Sequence, residues 1–562
     1  MAILCILPYL DPQSSFVFYE TRGLNCLRVT DLRDRPPEFD GLPAPILLLS
    51  AAGNVVTLGP LYVPGSGVCA ACACHWARTA GWEHPAAPAP GSQALEALAA
   101  MTEELATALR GAPAGDLLRT IWEVDAVTGR RRQHPVFPRA GCPRCRLLDR
   151  EQLPLSVHCS PLTGIVSSVT VSAGTVAGSY SAIGSYVAPL PVRHARPLLK
   201  AQYALGKGQT KQQAIESCIG EALERYSLIY TGAEPLRRAR TADMPTINPP
   251  EIVLASDGQY SMRESWNAAQ DDRYWIPERF DAQYPVDFLP GIDLISHETV
   301  HVPAACCLMW YRFRPGEPRF ASADSNGCGA GRTLAAATAA ALLELIERDA
   351  LAIWWYNRLR RPAAMVESFE SSDLNQIRDE LLRLGRDLYL LDITTDIEVP
   401  VYAAVSPTRD GAEPLFAAAA HPSPRVAALK AASEAAQLIF SAVHTGGLDV
   451  ELHSWLHLAT LGSQPYLAPS TFAAAPPEPG ALTAEQLVEL CARRLRAAGL
   501  RPVAVDQSSP DVLLKTVRAI VPGLRHIWAR FAPGRLYDVP VRLGWLTAPL
   551  REEDLNSILC MI

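Results

Sequence analysis

Hydrophobic positions in the first 60 residues come in short runs, 3–10, 16–19 and 46–50, separated by Pro, Gly and Asp clusters. This pattern predicts strands with short connections. A Pro/Ala-rich linker spans 83–91, and the spacing over 94–109 predicts a helix. Residues 118–127 and 130–138 predict a hairpin across Thr128-Gly129. From about residue 160 the texture changes. The stretch 164–171 is rich in β-branched residues, and 210–230 carries a helical period after what reads as a Gly206-Lys207-Gly208 turn. A polar, Pro-rich stretch runs to about 290; beyond it 299–311 reads as strands, 325–331 as a glycine-rich turn and 334–359 as a long helix. Further on, 387–392, 399–405 and 500–505 predict strands, 423–443, 487–498 and 513–519 predict helical pieces, and 464–483 a Pro/Ala-rich loop. No repeat of fixed period is visible. Alternating strands and helices predict an α/β (α+β) fold, and 562 residues suggest two to four domains.

Composition narrows the function classes. About half of the residues are apolar, enough for large cores. A net charge of −7 and a pI near 6.0 argue against a nucleic-acid partner. The longest apolar runs, such as 335–343, are too short and alanine-rich to span a bilayer. The N-terminus, Met-Ala-Ile-Leu-Cys-Ile-Leu-Pro, has no positive n-region and reads as a strand rather than a signal peptide. Fourteen scattered cysteines fit a reducing cytoplasm better than a disulfide scaffold. The expectation is a cytoplasmic chain with neither nucleic acid nor membrane as partner.

Two cysteine pairs, Cys69-Ala-Ala-Cys72 and Cys142-Pro-Arg-Cys145, have the spacing with which one tight turn presents two thiolates to a tetrahedral ion. The long insert between them only has to bring its ends together, and closure cost grows slowly with length. Single C-x-x-C pairs are often buried thiols; two in one small region favour Zn2+. With no ligand position left open, the ion is expected to be structural. Cys74 and His75 lie close by as alternative ligands. A redox dithiol would sit at the helix start of a thioredoxin-like βαβ pattern, which neither pair shows.

The sharpest chemical signal is a pair of carboxylate motifs. The first is Ser217-x3-Glu221-x2-Glu224-Arg225, whose spacing places all four side chains on one helical stripe. The second is Glu344-x2-Glu347-Arg348, following the turn that contains Asn326. Charged pairs at one-turn spacing usually form surface salt bridges. Here the flanks are strongly apolar (Ile219, Ala222 and Leu223; Leu342, Leu343 and Ile346), and buried carboxylates need partners. Mg2+, which takes oxygen ligands from carboxylates and nucleotide phosphates, fits that demand. Glu221, Glu224, Glu344 and Glu347 are the candidate metal ligands. Ser217 could contact an ion or phosphate; Lys207, Arg225 and Arg348 could neutralise phosphate charge. Asn326 lies in a turn expected to lead into a helix N-terminus, which favours anions. There is no Walker A, kinase or Rossmann signature.

These residues resemble the YcaO family. Gly206-Lys207-Gly208 with Ser217, Glu221, Glu224 and Arg225 is similar to its first ATP–Mg2+ motif. Ser325-Asn326-Gly327 with Glu344, Glu347 and Arg348 is similar to the second, and Glu434-Ala-Ala-Gln437 to part of the third. Residues 1–155 resemble a truncated cyclodehydratase (ThiF/E1-like) domain holding Cys69, Cys72, Cys142 and Cys145 around zinc, and 156–562 a YcaO domain. The stretch 532–545 resembles SagD-type members.

The resemblance implies mixed sheets with packed helices and ATP-dependent formation of thiazoline or oxazoline from Cys, Ser or Thr of a ribosomal precursor peptide. It implies phosphorylation of the backbone amide oxygen by a D-type subunit. As partners it implies a leader-binding protein, a homodimer within a hetero-oligomer, and room for a flavin dehydrogenase. Three departures support an alternative, a catalytically weakened paralogue acting as scaffold or regulatory subunit. An acidic position of the family reads Ala335-Ala336-Ala337, Phe440 stands where an Arg is expected after Gln437, and the last residues are not alternating prolines. A third reading, another nucleophile as in thioamidation, is opposed by the SagD-like stretch and the zinc region.

Overall fold

Strand pairing divides the described residues into sheets of seven, three, six and five strands. The computed structural model describes residues 46–80 except 53, 115–172 except 146–148 and 151, 180–189, 202–270 except 209, 274–444 and 450–560, with strands within 5–29 and helical positions within 93–101. The linker at 83–91 and most of the helix expected at 94–109 lie outside the described residues.

In the seven-stranded sheet the strands follow chain order from Cys5–Ile6 to Arg131–Pro135, antiparallel except where Leu24–Val29 runs parallel to Ile46–Ala52. The expected hairpin forms from Thr120–Asp125 and Arg131–Pro135. Asp125 Oδ1 accepts from the Val127 and Thr128 amides at 2.9 Å each, and Gly129 takes the positive φ of 69° that the turn needs. One face of this sheet packs Leu48 and Ile121 with Trp76 and the cysteines of the Ala70–Ala80 region; Leu47, Leu49, Val56 and Leu58 fall in another cluster.

Two segments whose glycines suggest turns are strands. Gly206-Lys207-Gly208 belongs to the strand Gln202–Gly208, paired with Tyr180–Tyr186. Of the predicted glycine turn at 325–331, only the start bends; Cys328–Gly331 is a strand. In both cases glycine serves close packing on the helix that follows. A Cβ at Gly206 would lie 2.2 Å from the Ala214 carbonyl oxygen, and one at Gly329 would lie 2.4 Å from that of Ala337.

These two strands begin a repeated unit of strand, polar cap and helix. Thr210 accepts from the Gln213 amide (3.2 Å) to start Lys211–Leu228, and Thr333 from the Ala336 amide (3.1 Å) to start Leu334–Tyr356. Leu415–Ala420 leads likewise to Pro424–His444, with Ser423 accepting from the Val426 amide at 3.1 Å. Counted from its cap, Glu221 holds the place that Glu344 and Glu434 hold in the other units, and Glu224 that of Glu347 and Gln437. The intervals between units are unequal, so no fixed period marks them.

The helical piece expected at 513–519 is corrected. Lys515–Ile520 is a strand between Val503–Asp506 and Cys328–Gly331, antiparallel to both. Thr516, Val517 and Ile520 are β-branched, and two flanking partners override the weak helical period. The polar stretch before 290 also hides structure, the helices Pro250–Val253, Asp257–Ser261 and Arg263–Ala269 and the start of the strand Val286–Asp293.

The second carboxylate helix is anchored beyond its acidic pair. Trp354, Trp355 and Tyr356 are buried, Trp355 stacking on Phe416 with centroids 4.8 Å apart. Asp349, fully buried, is held by Arg535 at 2.5 Å, and Arg535 also reaches Asp396 at 2.9 Å. Among the described residues, no helix is long and apolar enough to cross a membrane.

Candidate active site

The three units turn their acidic stripes toward one another. Glu221 bridges Arg225 (2.8 Å) and the Leu205 amide (3.2 Å) on the edge strand Gln202–Gly208. On the second helix Arg348 lies 3.4 Å from Glu344 and 3.1 Å from Glu347, while the Gly327 amide donates to Glu344 at 3.2 Å. Lys207 of the first strand crosses to Glu434 of the third helix at 2.9 Å, and Gln437 donates to Ser181 at 3.2 Å. Depth differs along the site. Side chains of Glu347 and Arg348 are 15% and 18% exposed, those of Lys207 and Glu434 41% and 39%, so the first pair forms the floor and the second the rim.

Electrostatics shows that the carboxylates share one space. Burial, reinforced by Glu344 and Glu221, pushes Glu224 up to about 8 against Arg225 and Arg518. Burial raises Glu347 to about 7 against Arg348, with Glu434 and Glu344 adding to the shift. Glu221 and Glu344 are raised as well, chiefly by burial. Burial alone would lower Arg348, yet Glu347, Glu344 and Glu434 hold it above its ordinary value. Glu224 makes no hydrogen bond or ion pair among the described residues, and Arg225 and Arg518 act on it only from a distance. A cluster of hard carboxylate oxygens with one member unpaired is a donor set suited to Mg2+.

The remaining expected residues divide. Ser217 lies one turn before Glu221, exposed and without a side-chain partner among the described residues. Asn326 turns away from the glutamates, its side-chain amide donating to Asp324 Oδ2 at 2.8 Å. Ala335 and Ala336 sit in the first turn of the second helix, more than two turns before Glu344. The side chain of Phe440 is outside the described residues. The C-terminal segment, though it lacks prolines, reaches the site. Cys560 is buried close enough to act on Arg348, with Tyr274 Oη donating to its carbonyl at 3.1 Å.

Sequence reasoning missed three charged residues. Lys430 lies one turn before Glu434; burial draws it below its ordinary value while Glu347 opposes. Its spacing to Glu434 and Gln437 was the available signal. Asp324 and Arg518 flank the Asn326 turn, with Arg518 donating to the Asn326 carbonyl at 2.6 Å; Arg518 lies within a strand read as helix, which concealed it.

The cysteine pairs come together. Cys69 and Cys142 Sγ are 3.7 Å apart, Cys72 and Cys145 Sγ 3.9 Å, and all four sulfurs lie within 4.8 Å of one another. Four sulfurs about 2.3 Å from one tetrahedral zinc would stand roughly 3.8 Å apart, so the set fits such an ion. The Cys69 and Arg139 amides point at Cys145 and Cys72 sulfur, 3.3 and 3.4 Å away. His75 faces Asp511 at 2.9 Å instead of this cluster, leaving the two pairs as the ligand set.

The family described as YcaO cyclodehydratase, ATP- and Mg2+-binding, matches residues 205–525, more than half of the chain. The chain belongs to the YcaO family. Two solved structures extend the likeness past that segment. A heterocyclase in complex with substrate and cofactor is 32% identical with a TM-score of 0.78, over 91% of this chain and 77% of that one. The heterocyclase TruD is 28% identical with a TM-score of 0.71, over 98% and 80%. An uncharacterized protein of Methanothermobacter thermautotrophicus is 25% identical over 333 residues, 57% of this chain and 80% of its own length. Another, from the tfuA 3′ region of Rhizobium leguminosarum bv. trifolii, is 30% identical over 261 residues, 43% of this chain and 61% of its own. As a YcaO-family member the chain is an ATP-dependent cyclodehydratase of the azoline-forming kind, with an ATP- and Mg2+-binding YcaO domain.

Proposed function

We propose that this YcaO protein closes Cys, Ser or Thr residues of a ribosomal precursor peptide into thiazoline or oxazoline rings. It does so as the D-type subunit of a complex, with residues 156–562 as catalytic domain and 1–155 as a zinc-bearing domain. The peptide thiol or hydroxyl attacks the preceding carbonyl carbon, the resulting oxyanion takes the γ-phosphoryl group of ATP, and phosphate then leaves with the former amide oxygen. Each ring consumes one ATP and releases ADP and phosphate.

Bound Mg2+ would offset the charge of the nucleotide phosphates. Glu221, Glu224, Glu344 and Glu347 would hold it, and Lys207, Arg225, Arg348 and Lys430 supply the surrounding positive charge. Glu434 positions Lys207 through their ion pair, and Gln437 ties the third helix to the first sheet through Ser181. Ser217 is assigned to the phosphate side by its place on the Glu221 stripe, and Asn326 to shaping the turn whose Gly327 amide holds Glu344. Cys69, Cys72, Cys142 and Cys145 are assigned to a structural Zn2+. A partner protein supplies leader recognition, and the working unit is a homodimer within a hetero-oligomer, with a flavin dehydrogenase acting after ring closure.

The observation that carries this reading is Glu224, an unpaired carboxylate pushed to about 8 among three other glutamates. Purified protein with its partner and precursor is expected to release one phosphate for each water lost from the peptide, and Glu221→Ala or Glu347→Ala to abolish both. Ring formation without ATP would contradict the proposal, and absence of nucleotide binding by the wild type would favour a scaffold role.

A further inference from the structure

A cavity of about 160 Å³ lies beside the Asp324–Asn326 turn, and none of the four glutamates lines it. Its walls are flat or apolar (Trp275, Trp528, Ile252, Ile520 and Leu345), while its polar groups include Asp324, Asn326, His526 and three arginines, Arg518, Arg525 and Arg530. The volume is roughly that of an engineered cavity that takes one benzene ring.

The polar groups do not cancel. Asp324 is fully engaged, accepting from the Asn326 amide and side chain at 2.9 and 2.8 Å and from Trp528 Nε1, with Arg518 at 3.8 Å to offset its charge. Burial lowers His526 below its ordinary value, and its Nε2 lies 2.6 Å from the Ile252 carbonyl oxygen. Of the three arginines, Arg518 faces Asp324, Arg525 is offset by Asp349, and Arg530 is left over. It donates to the carbonyls of Trp275 (2.8 Å), Ala529 (2.9 Å) and Tyr274 (3.4 Å), and meets no carboxylate among the described residues. Burial brings it down to about 10 against Tyr356, Asp324 and Tyr260, so Asp324 offsets its charge only in part. Two further guanidiniums, of Arg319 and Arg263, lie 5.2 and 5.9 Å from the Trp275 ring centroid, that of Arg263 paired with Glu278 at 3.6 Å.

We propose that this cavity binds a small organic carboxylate with a flat apolar body, its carboxylate set against Arg530 and its ring against Trp275 and Trp528. The cavity shares Asn326 and Arg518 with the flank of the glutamate site, but none of the four glutamates lines it, and the inference does not rest on the function proposed above. Two sources carry that chemistry, a free aromatic acid and the C-terminal residue of a peptide.

Titration of the full-length protein with benzoate, followed by intrinsic tryptophan fluorescence, is expected to give a saturable change. Benzamide, of the same shape without the charge, is expected to bind about tenfold more weakly or worse, the scale of a lost charged hydrogen bond. Arg530→Gln should weaken benzoate by a similar factor of about ten, Arg530→Lys should retain most of it, and ATP binding should be unchanged in both. Because Arg530 also ties down three carbonyls, the benzoate–benzamide comparison on wild-type protein carries the test should the Gln variant fold poorly. Binding of Ala-Ala-Phe with a free carboxylate, but not of its amide, would assign the site to a peptide terminus; benzoate binding alone would assign it to a free acid. A non-saturable response to benzoate, equal binding of benzamide, or an undiminished response in a folded Arg530→Gln protein would overturn the proposal.

Discussion

Among the four glutamates, Glu224 has the least support from its neighbours and the strongest reason to seek a cation. In the metal-free fold it keeps its proton up to about 8 and Glu347 to about 7, whereas in the unfolded chain both titrate in the ordinary carboxylate range. Between those limits the folded state binds more protons, so stability falls as pH rises. The melting temperature of metal-free protein is therefore expected to drop between about pH 5 and 8, and Glu224→Gln to flatten that slope, as a thermal melt series would show. Mg2+ with ATP should restore more stability at the alkaline end, where it has fewer protons to displace. At this scale most of the site was legible, because acidic pairs at one-turn spacing within apolar flanks are a local signal. Lys430, Asp324 and Arg518 were not, since each gains meaning only from residues distant in the chain.

At the scale of elements, the site rests on one device used three times, a strand lying flat on the helix that follows it. Gly206 and Gly329 make this possible, and what blocks a side chain there is helix backbone, which cannot rotate away. Gly206→Val and Gly329→Val are each expected to cost about 3 kcal/mol or more, the upper part of the usual range for overpacking, measurable by chemical denaturation. An unchanged denaturation midpoint would show that strand and helix can separate freely. The same glycines misled the sequence reading, since Gly-x-Gly resembles a turn until the helix across from it is known. The helix expected at 513–519 failed for a related reason, two neighbouring strands deciding its conformation. The hairpin at Thr128-Gly129 and the long helices were legible because their signals are contained within the segment.

At the scale of the molecule, the cysteine-bearing region is clasped to the YcaO domain through Asp511. This carboxylate meets His75 at 2.9 Å and accepts from the Ala140 amide at 2.8 Å, and Arg150 donates to its carbonyl at 3.1 Å. Burial would raise Asp511, but His75, the Ala140 amide and Arg150 outweigh it and hold it below the ordinary carboxylate range. Its contribution is thus complete above that range and lost as acid protonates the folded form. Asp511→Ala is expected to cost about 1–3 kcal/mol at neutral pH and progressively less on acidification, read from denaturation curves. Zinc analysis of the purified chain should give one ion per chain. Its removal by a chelator should lower the melting temperature, while a metal-free preparation of equal stability would contradict a structural ion. Four cysteines so far apart in sequence were legible because C-x-x-C spacing states the ligand set, whereas the Asp511 contacts had no sequence signature.

The most direct test of the central claim, that the four glutamates grip one magnesium-bound nucleotide, is calorimetric titration of ATP into the purified chain with Mg2+ and with EDTA, for wild type and Glu224→Gln. The account predicts saturable binding that requires Mg2+ and is weakened about tenfold or more in the variant, the scale of one lost charged contact. Equal binding in EDTA, or full Mg2+-dependent affinity retained by a folded Glu224→Gln protein, would contradict it.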